Sequence, residues 1–301
     1  MTPAYANSLV SNGYTLSNAS NRLGRLIPSA PSRPRRKLWE QFRAQGYLWL
    51  KNFLGRQEVL TLRGRYFNFM REAGLVAKNA EAVEGIYSGQ PDGTGLTRKL
   101  MAEFVRDAAY ESFCLSPKIW QFYEAFLQGP VYLHKRKIIR HTIPHDPACT
   151  GAHYDLTYLR AGTERVCTSW IPLGDIPVAM GGLVYLEGSD AMGRKLEAEF
   201  AEKNTHLSPA ERISAYNKNM NETGWLTKNL PQLADRFNTR WLIADYEAGD
   251  MMIHSAYMIH AATVNADANG HLRLSTDIRY QRLRDEIDAR WRNHWAFDDM
   301  L

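Results

Sequence analysis

The hydrophobic period of the chain changes once, near residue 130. Before that point apolar positions recur at helical spacing. Leu38, Trp39 and Phe42 share a face that stops at Gly46, and a second helix is predicted from Arg56 to Ala73, with Leu60, Leu62, Tyr66, Phe67 and Met70 inside. A short strand through Tyr47 and Leu50 lies between them, and Gly85 to Thr97 reads as a loop. Ser116-Pro117 starts a further helix, because a capping hydroxyl followed by a proline satisfies a helix N-terminus, and Gly129-Pro130 closes it.

From Val131 the pattern is one of short β-branched and aromatic runs: VYLHKRKIIRHTI, VCTSWIPL, GGLVYLEGS, RWLIADYEAGDMMIH and LRLSTDIRYQ. Short strands separated by Gly, Pro and Asp turns predict a β-sandwich or jelly roll. The expected class is therefore mainly β with α, a jelly-roll core flanked by N-terminal helices. One interruption, 190–238, is charged and helix-prone, and Ser208-Pro209-Ala210-Glu211 matches a capping box. An insertion of that size between strands is expected to act as a lid or rim. There is no internal repeat and no second boundary, so 37–301 is expected to form a single domain behind a tail, 1–36.

Composition narrows the class. A chain of 301 residues with 45% hydrophobic content buries a large core. No apolar run approaches the roughly 20 residues of a membrane span. Three cysteines, Cys114, Cys149 and Cys167, without C-x-x-C spacing, argue against a disulfide scaffold or structural zinc and fit a reducing compartment. The net charge of +5 is carried by dispersed cations without a basic helix or aromatic-basic platform, so a nucleic-acid partner is not expected. The first 39 residues, however, lack any acid and carry Arg22, Arg25, Arg33, Arg35, Arg36 and Lys37. That is the composition of a transit peptide, but residues 1–21 have no side-chain cation and no amphipathic period, so a flexible basic tail and a cytoplasmic chain are expected, with organelle targeting left open.

Candidate chemistry sits at Gly151 to Thr157, GAHYDLT. In a strand, side chains two apart emerge on one face, so His153 and Asp155 point together while Tyr154 faces the substrate or the core. A third metal ligand is needed, and His141, His145, His254 and His260 are candidates. Two imidazoles and a carboxylate on one face leave three positions for a co-substrate and dioxygen, which suits Fe(II); zinc prefers a tetrahedral site with one open position. H-x-D alone is a weak signal, since such pairs are commonly hydrogen-bonded surface residues.

The fragments HYD, TSWIPLGDIPVAMGGLVYLEGSD and AGDMMIHSAYMIHAATVNADANGHLRLSTDIRYQ, in that order, make the chain similar to the phytanoyl-CoA dioxygenase family of Fe(II)- and 2-oxoglutarate-dependent oxygenases. The likeness is strongest from Val131 to Gln281, weaker from Gln45 to Gly129, and absent from the tail. The resemblance implies a double-stranded β-helix, with His153 and Asp155 as the paired ligands. It implies His260 as the distal ligand, because Asn265 and Arg273 follow in the family's frame, and His254 becomes a buried histidine on the same strand. It implies that Arg273, with Ser275 beside it, holds the far carboxylate of 2-oxoglutarate, with Arg279 as the alternative. Thr150 and Trp170 are implied as further co-substrate contacts. A hydroxyl often follows the distal His in relatives, whereas here Ala261 and Ala262 precede Thr263. His141 and His145 are expected near the entrance.

The implied reaction couples decarboxylation of 2-oxoglutarate to hydroxylation of an unactivated C–H by O2. Desaturation, epoxidation and ring rearrangement are the family's alternatives, and Asp155 argues against halogenation, for which relatives carry Gly or Ala. A small organic molecule of specialised metabolism is the expected substrate, and Tyr158, Trp170, Tyr185, Met251, Met252, Tyr257 and Met258 are candidates to line an apolar pocket. A homodimer is possible, and no membrane partner is expected. A zinc enzyme or a silent ligand-binding jelly roll remains the other class.

Overall fold

The computed structural model describes residues 9–208, 211 and 224–296. Its strands are β1 Val10–Ser11, β2 Tyr14–Thr15, β3 Leu23–Arg25, β4 Tyr47–Leu50, β5 Val131–Leu133, β6 Ile138–Thr142, β7 Cys167–Pro172, β8 Leu183–Leu186, β9 Trp241–Ile243, β10 Met251–Ser255, β11 His260–Ala262 and β12 Arg273–Arg282. The major sheet runs β4-β10-β7-β12-β5, with β6 also on β12, and the minor sheet runs β11-β8-β9-β3. The fold is a double-stranded β-helix, mainly β with helices, as expected.

Helices cover the outer face of the major sheet. Arg35–Gln45 ends where Gly46 takes φ 76, a left-handed conformation that glycine adopts without a Cβ clash. Arg56–Phe69 continues into a 3-10 turn over Met70–Ala73, and Pro117–Leu127 carries Ser116 at its cap. The last helix turns at Gln128, which takes the left-handed conformation one residue before the expected Gly129. Apolar packing is supplemented by hydroxyl pairs: Tyr110 bonds Thr276 at 2.6 Å, and Tyr123 bonds Ser169 at 2.5 Å. These helices fix β7 and β12 from outside, the two strands whose other face forms the interior.

Strand β12 shows the division of labour. Leu274, Thr276, Ile278 and Tyr280 pack outward beneath the helices, while Arg273, Ser275, Asp277, Arg279 and Gln281 alternate with them and face inward. Arg273, Ser275, Arg279 and Gln281 are buried nonetheless. Buried polar groups need partners, so a polar inner face on a central strand marks a site rather than a core. The interior is closed beyond it by Trp170, Tyr185, Tyr246, Met252 and Met258.

Two expectations are corrected. Among the described residues, 9–36 packs on the domain: Leu9, Leu16, Leu23 and Leu26 are buried, and β3 pairs in parallel with β9. The first three leucines recur every seven residues, and Leu9 and Leu16 lack a large apolar partner at i+3 or i+4, yet each is buried, and Arg22 and Arg25 pair with Asp235 at 2.7 Å and Asp245 at 2.9 Å. Residues 1–8 lie outside the described residues. The interruption between β8 and β9 contains the helices Ser189–Lys203 and Leu230–Arg236, and the capping box forms, with the Ser208 N–H donating to Glu211 at 2.9 Å. The chain that it would cap lies outside the described residues. Rather than lying over the cavity beside the site, the first helix packs behind it, where Glu197 accepts from the Tyr154 hydroxyl at 2.9 Å.

Candidate metal centre

The H-x-D segment is not the strand that alternation suggested. Ala152 and His153 form single antiparallel bridges, to Thr227 and His260, and Asp155 adopts helical angles at the cap of the short helix Leu156–Leu159. The mutual backbone bonds of His153 and His260, 3.1 and 2.9 Å, place their rings on one face with centroids 4.3 Å apart. The turn then carries Asp155 back toward both rings. Tyr154 points away into the core, which answers the question that the sequence left open.

His153, Asp155 and His260 each offer one ligand atom within 4.8 Å of the others, and all three are buried. Asp155 Oδ1 lies 3.7 Å from Nε2 of each histidine. The imidazole Nδ1 atoms lie 2.9 Å from the carbonyls of Gly151 and Met258. A carbonyl only accepts, so the proton sits on Nδ1 and the bare Nε2 lone pair faces the centre. Burial pushes both imidazoles down, that of His260 well below its ordinary value, which keeps them neutral. At Asp155 burial acts to raise the pKa, but Arg279 together with His254 and His260 outweighs it and holds the carboxyl well below its usual range. Two neutral nitrogens and one carboxylate oxygen, with protons directed outward, form a donor set fitted to a divalent ion.

His254 lies on β10 in the major sheet, not on the strand of His260, and is fully buried. Its ring centroid is 4.4 Å from that of His260. The Tyr185 hydroxyl is 3.1 Å from its Nδ1, and its Nε2 is 3.5 Å from Asp155 Oδ2. With Tyr185 donating, the proton is on Nε2 and points at the carboxylate, the reverse of the tautomer in the other two rings. His141 Nδ1 pairs with the Tyr66 hydroxyl at 2.6 Å on the helix side, and His145 is exposed with φ 63.

A cavity of about 470 Å³ is lined by Thr150, Ala262, Thr263, Arg140, Arg273 and Tyr87 among others; it reaches Thr150 and Ala262, chain neighbours of the triad, while His153, Asp155 and His260 themselves are not on its wall. Arg273 is buried on its wall, donates Nη1 to the Gly181 carbonyl, and leaves Nε without a partner. The Ser275 hydroxyl, two residues along the same face, is also buried and unpartnered. Burial pushes Arg273 down to about 10. A buried cation and a buried hydroxyl, both with unused donors, fit an anion such as a carboxylate.

Other residues are placed differently from expectation. Arg279, the alternative anchor, bonds Asp155 Oδ2 at 3.1 Å and stacks over Trp291 at 4.4 Å, so its charge is already matched. Trp170 packs on Tyr246, with centroids 4.7 Å apart, as a core aromatic rather than a wall of the cavity. Tyr185, Met252 and Met258 share that inter-sheet core, Met251 joins the helix-side core and Tyr257 the cluster outside the minor sheet. Of the proposed pocket set, Tyr158 and Tyr185 approach the centre, with rings 5.8 Å from that of His153 and 5.9 Å from that of His260. Sequence reasoning missed Thr168, whose hydroxyl donates to Asp155 Oδ2 at 2.5 Å. The signal was its parity with Trp170 on β7 and its position opposite Arg279 on β12.

Comparison with known proteins places this geometry. The family described as Phytanoyl-CoA dioxygenase (PhyH) matches residues 42–270. A 1-deoxypentalenic acid 11-beta-hydroxylase of Streptomyces exfoliatus is 24% identical over 249 residues, covering 78% of this chain and 77% of that protein. The enzyme of the same description from Streptomyces arenae is 22% identical over 253 residues, with the same coverage, 78% and 77%. Among solved structures, the epimerase SnoN in complex with Fe3+, alpha ketoglutarate and nogalamycin RO superposes with a TM-score of 0.55 at 16% identity, covering 84% of this chain and 85% of that one. The alpha ketoglutarate dependent carbocyclase SnoK gives 0.53 at 18% identity, covering 87% and 89%.

Proposed function

Because the chain belongs to the phytanoyl-CoA dioxygenase family and is an Fe(II)- and 2-oxoglutarate-dependent oxygenase, we propose that His153, Asp155 and His260 hold its iron and that Arg273 and Ser275 anchor 2-oxoglutarate. The reaction is the oxidation, by hydroxylation, of an unactivated C–H in a small organic molecule of specialised metabolism, coupled to conversion of 2-oxoglutarate to succinate and CO2. The observation that carries the reading is the tautomer that His153 and His260 share. Two histidines turn bare nitrogens toward one carboxylate oxygen, and an unpaired guanidinium waits on the wall of the adjoining cavity.

When bound, the iron supplies activation of dioxygen against the C–H bond. The chain's residues do the rest. The carbonyls of Gly151 and Met258 orient the two imidazoles, and Arg273 with Ser275 takes the far carboxylate of the co-substrate. Thr150, which lines the cavity three residues before His153, is a further co-substrate contact, and Thr263 on the same wall supplies the hydroxyl that Ala261 and Ala262 cannot. The names of the Streptomyces hydroxylases support hydroxylation as the outcome, with desaturation, epoxidation or rearrangement as the alternative products. We place the enzyme in the cytoplasm, as a monomer or homodimer acting on small molecules; no helix among the described residues is long and apolar enough to cross a membrane.

The test is anaerobic addition of Fe(II) and 2-oxoglutarate, then a succinate-release screen over candidate substrates. A visible charge-transfer band on chelation and substrate-dependent succinate are expected. A colourless complex with zinc-dependent turnover would overturn the proposal.

A further inference from the structure

The outer oxygen of Asp155 is surrounded by donors that the ligand set does not require. Oδ1 faces His153 and His260, whereas Oδ2 accepts from Thr168 Oγ1 at 2.5 Å and from Arg279 Nη2 at 3.1 Å, with His254 Nε2 3.5 Å away. The three donors come from three adjacent strands of the major sheet, β7, β12 and β10. In register, Thr168 is paired with both Arg279 and His254, so the sheet itself sets their spacing. Two of the three are held from behind. The Arg279 guanidinium lies over Trp291, and His254 receives the Tyr185 hydroxyl.

We propose that Thr168 and Arg279, with His254 packed against them, form a clamp that occupies the acceptor capacity of Asp155 Oδ2, so that the carboxylate offers a divalent ion Oδ1 alone. A carboxylate oxygen has about two lone-pair sites, and the Thr168 and Arg279 bonds already fill them. A free carboxylate would be able to chelate through both oxygens and take a position that the co-substrate and dioxygen need. The clamp therefore protects the open half of the coordination sphere and fixes the ligand before metal arrives. These three are positioning residues, acting through Asp155, and the inference rests on the metal-centre reading above.

The experiment is Mn(II) titration of full-length apo-protein followed by electron paramagnetic resonance, without 2-oxoglutarate, together with the visible spectrum of the Co(II)-loaded protein. Thr168→Val keeps the shape and deletes the hydroxyl; Thr168→Ser restores it. Loss of such an outer partner weakens metal binding by about 10- to 100-fold. Thr168→Val is expected to bind Mn(II) at least about 10-fold more weakly and to shift the Co(II) bands, while Thr168→Ser behaves as wild type. Arg279→Met, which removes the donor and keeps much of the length, gives an independent reading if Thr168→Val fails to fold, and the same loss is expected. Unchanged affinity and spectrum in either folded variant overturn the clamp. Failure of the wild type itself to bind Mn(II), or binding that survives Asp155→Ala, would instead remove the metal-centre reading.

Discussion

Replacing Arg273 by Met separates two consequences that a merely structural arginine would not separate. In the free protein this guanidinium is buried, donates to the Gly181 carbonyl, leaves Nε unpaired and has no carboxylate partner among the described residues. Burial lowers its pKa from 12.5 to about 10, so while charged below pH 10 it is a cost to the folded state. Met fills similar space without that cost, so the apo-protein at pH 7 is expected to melt close to the wild-type temperature. With 2-oxoglutarate the sign reverses. The far carboxylate loses its planar partner, and leaving one member of a buried charge pair alone costs about 3 to 5 kcal/mol, of which the Ser275 hydroxyl recovers part. A net loss of about 3 kcal/mol weakens the dissociation constant roughly 100-fold. At a concentration about 100 times the wild-type constant, ligand stabilises wild type by about 2.7 kcal/mol and the variant by only ~0.4 kcal/mol. Thermal unfolding of Mn(II)-loaded protein with and without 2-oxoglutarate, supported by calorimetric titration, reads both quantities. A variant that keeps the wild-type shift refutes the anchor; one whose apo form collapses shows that the arginine is structural.

Further outcomes follow from the same geometry. His153→Ala and His260→Ala are expected to abolish measurable Mn(II) binding, whereas His254→Asn, which removes a donor but no ligand, weakens it about 10-fold; equal loss in all three would place His254 among the ligands. Gly181 has φ +75, and a Cβ there would meet the Thr263 carbonyl oxygen at 2.4 Å, so Gly181→Ala should displace the carbonyl that holds Arg273 and raise the 2-oxoglutarate KM several-fold more than it lowers kcat. Burial pushes His134 and His141 down to about 4 from 6.5. Between those values the unfolded chain takes up protons that the folded chain refuses, so stability falls as pH drops from about 6.5 to 4, by on the order of 3 kcal/mol for His134 and by less for the half-buried His141. Urea unfolding at pH 7 and pH 5 checks this, and His141→Asn should flatten the slope; an unchanged slope counts against a neutral buried imidazole.

Much of this was legible in order along the chain. The change of period near Val131 marked where helices give way to the jelly roll, because a buried strand face needs alternation and a covering helix needs a stripe. The Ser208 capping box forms its reciprocal bonds, whereas the helix after Ser116 starts on the proline at its first turn and the Ser116 hydroxyl makes no capping bond. The tail misled because Leu9, Leu16 and Leu23 recur every seven residues while Leu9 and Leu16 lack the large apolar partners at i+3 or i+4 that a packed face needs, so nothing local records that β9 lies alongside. Trp170 misled in the opposite way, since an aromatic on an inward face reads alike whether it meets a ligand or Tyr246.

By itself the sequence determined the residue types and their parity. It placed His153 and Asp155 two apart with several histidines able to join them, and an arginine and serine two apart on a strand whose inner face is polar. Only the tertiary structure decided which nitrogen each imidazole presents, since that depends on the carbonyls of Gly151 and Met258 in one case and on the Tyr185 hydroxyl in the other. It likewise gave Arg273 and Arg279, identical in parity, different surroundings, with the first on the wall of a cavity and the second against Asp155. Side-chain direction is a local property of the backbone, but protonation and charge pairing depend on neighbours brought from distant sequence.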